Sequence, residues 1–162
     1  MTPGTQRGVS AIDLLIAATI IATIVALAIP LMISTQKPLV RMNAAQEFSN
    51  FWQRARSDSK KMHAVAPAQM AQITILSDQY YFVTMDADGD GVLDPPVVIN
   101  LEKRKIRMSG PFPQTYMFDW LGRAFDQNQK LLSAPAVQFS NDAGKTTVKF
   151  EGTGQPAITT SK

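Results

Sequence analysis

The chain has 162 residues and a formal net charge of +3, with no cysteine and a single histidine, His63. The lack of cysteine excludes a disulfide framework, a cysteine-based zinc site and a thiol nucleophile. One histidine leaves most hydrolytic and metal-hydrolase centres without a base or ligands. His63 itself falls at the end of a helical pattern, where a position near solvent is expected. We therefore expect a protein that is not an enzyme and that has no small-molecule substrate.

The first predicted element is an apolar helix near the N-terminus. From Val9 to Ile29 the only ionisable residue is Asp13. Twenty-one helical residues span about 31 Å, which matches the hydrocarbon core of a bilayer. A cleavable signal sequence has a shorter apolar stretch of ~7–15 residues, followed by a small-residue cleavage site. The length of this run therefore favours a membrane anchor over a signal peptide.

An acid within an anchor requires its own explanation. Asp13 would lie about 6 Å along the helix from Val9, close to the membrane interface, at ~1.5 Å per residue. An ionisable residue in a membrane segment is a functional hint, because a buried carboxylate needs a partner. The same helix offers no cation, so the partner is expected on another molecule.

These residues resemble the N-terminus of type IV pilins and pseudopilins. The stretch is "RGVSAIDLLIAATIIATIVALAIP", residues 7–30. In that family a short basic leader ends in Gly, a hydrophobic residue becomes the new N-terminus, an acid stands fifth and a proline twenty-second. Here the leader is residues 1–8, cleavage falls between Gly8 and Val9, and Asp13 and Pro30 take the other two positions. The chain departs from the family in having Val9 for Phe and Asp13 for Glu.

The resemblance implies how such a chain is processed and assembled. A prepilin peptidase would cleave after Gly8 and Val9 would be N-methylated. Asp13 would pair with the freed α-ammonium group of a neighbouring subunit, and Pro30 belongs to the same assembly helix. The implied partners are the peptidase, other pilin or pseudopilin subunits and the bacterial inner membrane. The head would lie in the periplasm, or in a periplasmic or extracellular filament after assembly.

A second, amphipathic helical stretch follows. Its apolar residues recur at steps of three, four, three and seven, which places them on one helix face: Ala45, Phe48, Trp52, Ala55 and Met62. Pro67 ends the pattern. Pro30 and Pro38 could be kinks in one long helix or true breaks, and the sequence leaves these alternatives open.

From residue 70 onward, short β-type runs alternate with turns rich in Gly, Pro, Asn and Asp. The predicted strands are 70–76, 79–85, 97–101, 105–108, 115–119, 136–140, 146–150 and 156–160. The predicted fold is α+β: a long N-terminal helix, half anchor and half amphipathic, packed on a mostly antiparallel sheet or small sandwich. The expected divisions are a leader (1–8), a transmembrane or filament-core helix (9–32), an amphipathic continuation (33–66) and a β-rich head (67–162).

The head carries a second resemblance, to the FimT/GspH group of minor pilins and pseudopilins. Three segments occur in the order that this group shows: "YYFVTMDADGDGVLD", "FDWLGRAF" and "VKFEGTGQPAITT". The resemblance implies a structural subunit of a type IV pilus or of a type II secretion pseudopilus, and which of the two stays open. Some members of this group bind DNA during uptake, which is the alternative function.

An acidic loop, "DADGDGVLD", joins two predicted strands. Its carboxylates match the start of a calcium loop, with a glycine at the sixth position: Asp86, Asp88, Asp90 and Asp94. The twelfth position, where a calcium loop has Glu, is Val97, and no helices flank the loop. Asp and Gly are also favoured in tight turns. Calcium binding and a plain turn are therefore both retained, and no other cofactor is expected.

A basic cluster could contact the phosphates of DNA. It consists of Lys103, Arg104, Lys105 and Arg107. The C-terminal segment, where some FimT-like proteins carry basic residues, has only Lys145, Lys149 and Lys162. A solvated charged face is the simpler interpretation, so DNA binding is not favoured.

Overall fold

The computed structural model describes residues 11–151 and 155–161, with residues 30–34 described by their backbone alone. The predicted cleavage residues, Gly8 and Val9, lie outside the described part. The chain divides into two compact units between Gln36 and Lys37. The second unit therefore contains both the amphipathic half of the long helix and all the strands.

One helix, α1, comprises Ala11–Lys61. The backbone is helical at Pro30 and Pro38, so neither proline is a break in the helix. At the C-terminus, the Ala64 N–H donates to the Ser59 carbonyl (3.0 Å) and the His63 N–H to the Lys60 carbonyl (3.3 Å). His63 has a left-handed backbone with φ 51°, and these two bonds form a Schellman cap. Its side chain is exposed, as predicted.

In the described part of the head there are two antiparallel sheets and two short 3₁₀ helices, Pro67–Gln69 and Glu102–Arg104. The first sheet has the order β3-β2-β1-β5-β6, and the second has the order β4-β7-β8-β9. The strands are β1 (Gln72–Ile75), β2 (Tyr80–Thr84), β3 (Val97–Asn100), β4 (Arg107–Ser109), β5 (Gln114–Phe118), β6 (Ala124–Phe125), β7 (Ala136–Asn141), β8 (Gly144–Phe150) and β9 (Pro156–Ser161).

The predicted α+β class is confirmed, and the arrangement of the strands is two sheets and not one. Each of the eight predicted strands overlaps an observed strand. The one described strand that was not predicted is β6, because a strand of two residues shows no periodicity. Alternation of side chains places one face of each sheet inward. In the first sheet Ile73 pairs with Val83 on one side and Tyr116 on the other.

The hydrophobic core lies where α1 packs against both sheets. Trp52 is 1% exposed and stacks on Phe150 of the second sheet, with ring centroids 3.8 Å apart. The same indole meets Phe118 of the first sheet edge-on at 4.8 Å. One turn earlier, Phe48 meets Tyr81 of the first sheet and Phe139 of the second, both edge-on. The predicted apolar face of the helix is therefore the buried one, although Met62 at its end is only half-buried.

A buried arginine attaches the helix to the second sheet. Arg41 is 2% exposed, and its Nε donates to the Thr146 hydroxyl at 2.9 Å. Its Nη1 donates to the Asn141 side-chain oxygen at 3.0 Å. The Asn141 amide in turn donates to the Lys37 carbonyl at 2.8 Å. These bonds tie the end of β7 and the start of β8 to the first turns of α1 within the head.

We predict that Trp52→Ala lowers the free energy of unfolding of the head by about 3–5 kcal/mol, since a large buried aromatic leaves a cavity between helix and sheets. Denaturant unfolding of the full chain in detergent, followed by circular dichroism, measures this change. Gln53→Ala, at the neighbouring exposed position, is the matched control and is expected to stay within ~0.5 kcal/mol. Similar losses in both variants would contradict the assigned core.

The two buried tyrosines, Tyr81 and Tyr116, lead us to predict that the protein unfolds at alkaline pH. Burial raises the pKa of Tyr116 to about 12 and raises the pKa of Tyr81 further. Because the unfolded chain loses these protons near the ordinary pKa of 10.0, their contribution to stability is complete below pH 10 and is lost as the pH rises through the folded values. We expect Tyr80, which is half-exposed, to ionise in the folded protein, and the other two tyrosines to ionise only with unfolding.

Tyrosinate absorbance recorded together with circular dichroism tests this order. Tyr116→Phe should make the alkaline loss of structure less steep, because one group no longer gains a proton on folding. Smooth ionisation of all three tyrosines while the fold persists would show that the burial is wrong.

Candidate functional site

The N-terminal part of α1 is apolar and fully exposed. The segment Ala11–Ile29 has a mean hydropathy of 2.6 and none of it is buried. Within the described residues it is the one stretch long and apolar enough for a membrane span or signal sequence. The hydroxyls of Thr19 and Thr23 donate to the carbonyls of Leu15 and Thr19, at 2.7 and 2.8 Å. These polar groups are satisfied within the helix, which suits an apolar surrounding.

Asp13 lies in the first turn of α1, with its side chain on the exposed surface. A carboxylate at this end of a helix is stabilised by the helix dipole. At Pro30 the structure describes the helical backbone only. Of the four residues predicted for processing and assembly, the structure therefore locates Asp13 fully and Pro30 by its backbone.

The acidic loop folds around the carboxylate of Asp86. One oxygen accepts the N–H groups of Gly89 (2.6 Å) and Asp90 (3.2 Å), and the other accepts that of Gly91 at 2.8 Å. Gly89 and Gly91 have φ of 82° and 88°, which favours glycine at both positions. Asp94 closes the loop by accepting the Ala87 N–H at 2.7 Å.

Asp58 joins this loop to α1. It is 9% exposed, and its Oδ2 accepts the Asp86 N–H at 2.8 Å. Burial raises the pKa of Asp58, and the charge of Asp86 adds to the rise. Burial also acts to raise the pKa of Asp86, but the N–H groups of Gly91 and Gly89 outweigh it and hold that pKa below its usual range. The backbone therefore favours the ionised form of Asp86.

Asp88 completes the cluster. The N–H of Asp90 acts to lower the pKa of Asp88, but a hydrogen bond with the Asp86 carboxyl and the charge of Asp90 outweigh it, so the pKa is raised. Side-chain oxygens of Asp86, Asp88 and Asp94 lie within 4.8 Å of one another. The pKa values of Asp86 and Asp88, which share a hydrogen bond, are therefore shifted in opposite directions.

Three of the four predicted calcium ligands therefore converge, and Asp90 does not join them. Its carboxylate accepts the Val92 N–H at 2.8 Å instead. Both oxygens of Asp86 already accept backbone donors, so the loop is closed by its own hydrogen bonds. The arrangement accounts for the Asp and Gly pattern as a turn, and calcium binding stays a prediction.

Two residues of the basic cluster make ion pairs with carboxylates. Arg104, at the end of a 3₁₀ helix, makes an ion pair with Glu47 of α1. Arg107 of β4 lies 3.7 Å from Asp78, between Nε and Oδ2. Lys103 and Lys105 are exposed. Because two of the four bases have carboxylate partners, this surface offers less positive charge to a polyanion than its sequence suggests.

The turn after β5 is a feature that the residue patterns did not single out. Asp119 is 3% exposed, and its carboxylate accepts the N–H groups of Leu121 (3.1 Å) and Arg123 (2.8 Å). Gly122 has φ 77° and lies against Arg56 of α1, whose Nε donates to the Gly122 carbonyl at 2.8 Å. The one available signal was the "FDWLGRAF" likeness.

Comparisons of this chain with protein-family models, curated proteins and solved structures found no match.

We predict that Gly122→Ala lowers the free energy of unfolding by about 1–3 kcal/mol. The left-handed backbone disfavours alanine by ~1–2 kcal/mol, and an added Cβ would lie 2.7 Å from the Arg56 Nε. Gly89→Ala is the matched control, with φ 82° and open space around it. A Gly89→Ala loss equal to that of Gly122→Ala would show that the contact with α1 adds nothing.

Proposed function

We propose that this chain is a minor pilin or pseudopilin: a structural subunit of a type IV pilus or a type II secretion pseudopilus. The observation that carries the proposal is the exposed apolar helix Ala11–Ile29 with an acid in its first turn. The chain is first held in the bacterial inner membrane by this helix. It then passes into a filament, where helices of neighbouring subunits replace lipid.

The exposed surface of that helix supports an environment other than water. Ile12, Leu15 and Leu27 are each about two-thirds exposed, at 69%, 68% and 66%. Each such side chain gains roughly 1.5–3 kcal/mol when it is removed from water. A lipid bilayer and a bundle of neighbouring helices both supply that gain, and the proposed life cycle uses both in turn.

Asp13 supports the second stage in particular. Cleavage before Val9 would create an α-ammonium group four residues ahead of Asp13. In a filament core, the Asp13 carboxylate of one subunit would accept that ammonium from its neighbour. The chemistry is done to this protein by a prepilin peptidase and not by it, so the chain acts as a structural subunit and not as an enzyme.

The head is firmly packed on α1, as a subunit that is pulled from the membrane into a filament by its helix would need. Within the head, Trp52, Phe48 and Arg41 of α1 contact both sheets or their turns through buried side chains. The head therefore cannot separate from this part of α1 without exposing its core.

The experiment is the intact mass and N-terminal sequence of the chain recovered from membranes of its native host. We expect a chain that begins at Val9 and carries one added methyl group. A chain that still begins at Met1 in a host with active prepilin peptidase would overturn the proposal.

We further predict that Asp13→Ala is inserted in the membrane but lost from the sheared filament fraction. Leaving a buried charge without its partner costs ~3–5 kcal/mol, which corresponds to a loss of association of about 100-fold or more. Asp13→Glu, which keeps the carboxylate, is the control and should assemble. Normal assembly of Asp13→Ala would show that the acid has no role in subunit contacts.

A further inference from the structure

One surface of the head combines exposed apolar side chains with cations. Trp120 and Leu121 are adjacent in the chain and are 47% and 44% exposed, so they form a small exposed apolar patch. Arg56 and Lys60 of α1 border the same turn, since a Cβ added at Gly122 would meet both side chains. We call Arg56, Lys60, Trp120 and Leu121 the ridge.

The turn holds these apolar side chains in a defined position. The Trp120 N–H donates to the Ala64 carbonyl at 3.1 Å, and the Gly122 N–H to the Asp119 carbonyl at 2.8 Å. The buried Asp119 carboxylate also pairs with the Arg123 guanidinium, with 2.6 Å between Oδ2 and Nη2. Because its backbone is bonded at both ends, the turn presents Trp120 and Leu121 to the outside without an added cost of ordering the backbone on binding.

The ridge has a cationic border. Among the described residues, neither Arg56 nor Lys60 makes an ion pair with a carboxylate. The nearby Arg123 is already paired with Asp119. An occupant that buries Trp120 and Leu121 would therefore also need to bring negative charge.

The acidic loop of the same protein has the complementary chemistry. Residues 86–94 hold four aspartates and no base. Val92 stands among them with 66% of its surface exposed, and Asp88 and Asp90 are exposed as well. The loop is thus an apolar tip with carboxylates around it, matched to an apolar ridge bordered by cations.

The two surfaces lie on opposite sides of α1 at the same level. Asp58 binds the acidic loop, and Arg56 binds the Gly122 carbonyl of the ridge turn. At about 100° per residue, the direction of Asp58 lies about 160° from those of Arg56 and Lys60. The ridge of one copy can therefore face the loop of another when the helices stand side by side.

We propose that the ridge is the docking surface for the acidic loop of a second copy of this chain. The contact is heterologous, because two different surfaces meet, and each added copy leaves one ridge and one loop free at the ends. Such a contact propagates and does not close into a symmetric dimer. The inference rests on the proposed filament function, because that function sets the helices of the copies side by side.

The absence of cysteine allows a direct test. Two full-length variants, Val92→Cys and Leu121→Cys, carry different epitope tags and are co-expressed in the native host. Membranes and filaments are then oxidised. A disulfide forms only when two Cβ atoms approach to ~3.5–4.5 Å. We expect a cross-linked dimer carrying both tags, and little dimer from either variant alone.

Leu76→Cys replaces Leu121→Cys in the matched control, since Leu76 is also exposed, at 52%, and lies in the β1–β2 turn. Equal cross-linking of Val92→Cys to Leu76→Cys would indicate random collision and overturn the proposal. So would cross-links confined to two Val92→Cys copies, or none between the Val92→Cys and Leu121→Cys variants.

A charge reversal adds an independent readout. Lys60→Glu on the Leu121→Cys copy should reduce the mixed dimer several-fold, and Asp90→Lys on the Val92→Cys copy should restore it. The N-terminal sequence of the same material separates the two proposals. A chain that begins at Val9 without the mixed cross-link overturns the ridge contact alone. A chain that begins at Met1 overturns the filament function whatever the cross-links show.

Discussion

The contact of Trp52 with both sheets is the interaction on which the head depends. Its ring stacks on Phe150 of the second sheet and meets Phe118 of the first sheet edge-on. The two sheets share no strand, so α1 is the element that closes the space between them. Removing water from this space supplies most of the favourable energy that the head can obtain. The two sheets contribute to a single hydrophobic core because side chains of α1 fill the space between them.

Three polar side chains along α1 form hydrogen bonds that fix the helix relative to other parts of the head. Arg41 bonds to the end of β7 and to β8, whereas Asp58 binds the acidic loop and Arg56 binds the turn after β5. The last two bond to a connection and not to a strand. Connections are the parts that an apolar core orders least, because their backbone groups lie at the surface. The helix therefore holds the strands mainly by burial and holds these two loops by hydrogen bonds.

The exposed surfaces of the protein fall into two chemical kinds. Apart from Asp13, the segment Ala11–Ile29 is apolar or internally hydrogen-bonded and is exposed throughout, so lipid or other apolar helices can cover it. The ridge and the acidic loop are mixed, with apolar side chains set among charges of opposite sign. A uniform apolar surface stabilises association without selecting an orientation, whereas charges restrict which faces can meet. The apolar helix would thus supply most of the affinity between subunits, and the charged surfaces of the head would set their register.

Much of the fold followed from local patterns. The helical period placed Phe48 and Trp52 on the buried face, and alternation with turn residues located eight of the nine strands. These patterns work because burial acts on each element separately. The pairing of strands into two sheets did not follow, since strand order depends on contacts between residues far apart in the chain.

The candidate sites divide in the same way. The calcium-loop spacing singled out Asp86, Asp88, Asp90 and Asp94, and three of the four converge, all but Asp90, because a tight turn is a local structure. The pairing of Arg104 with Glu47 joins residues distant in sequence, so it could not be foreseen from the basic cluster. No pattern in the sequence marked Trp120 and Leu121 as exposed. By itself the sequence determined the apolar helix, the acid within it and the succession of strands. Only the tertiary structure decided which charges are paired and which apolar side chains face outward, because both depend on what packing brings next to them.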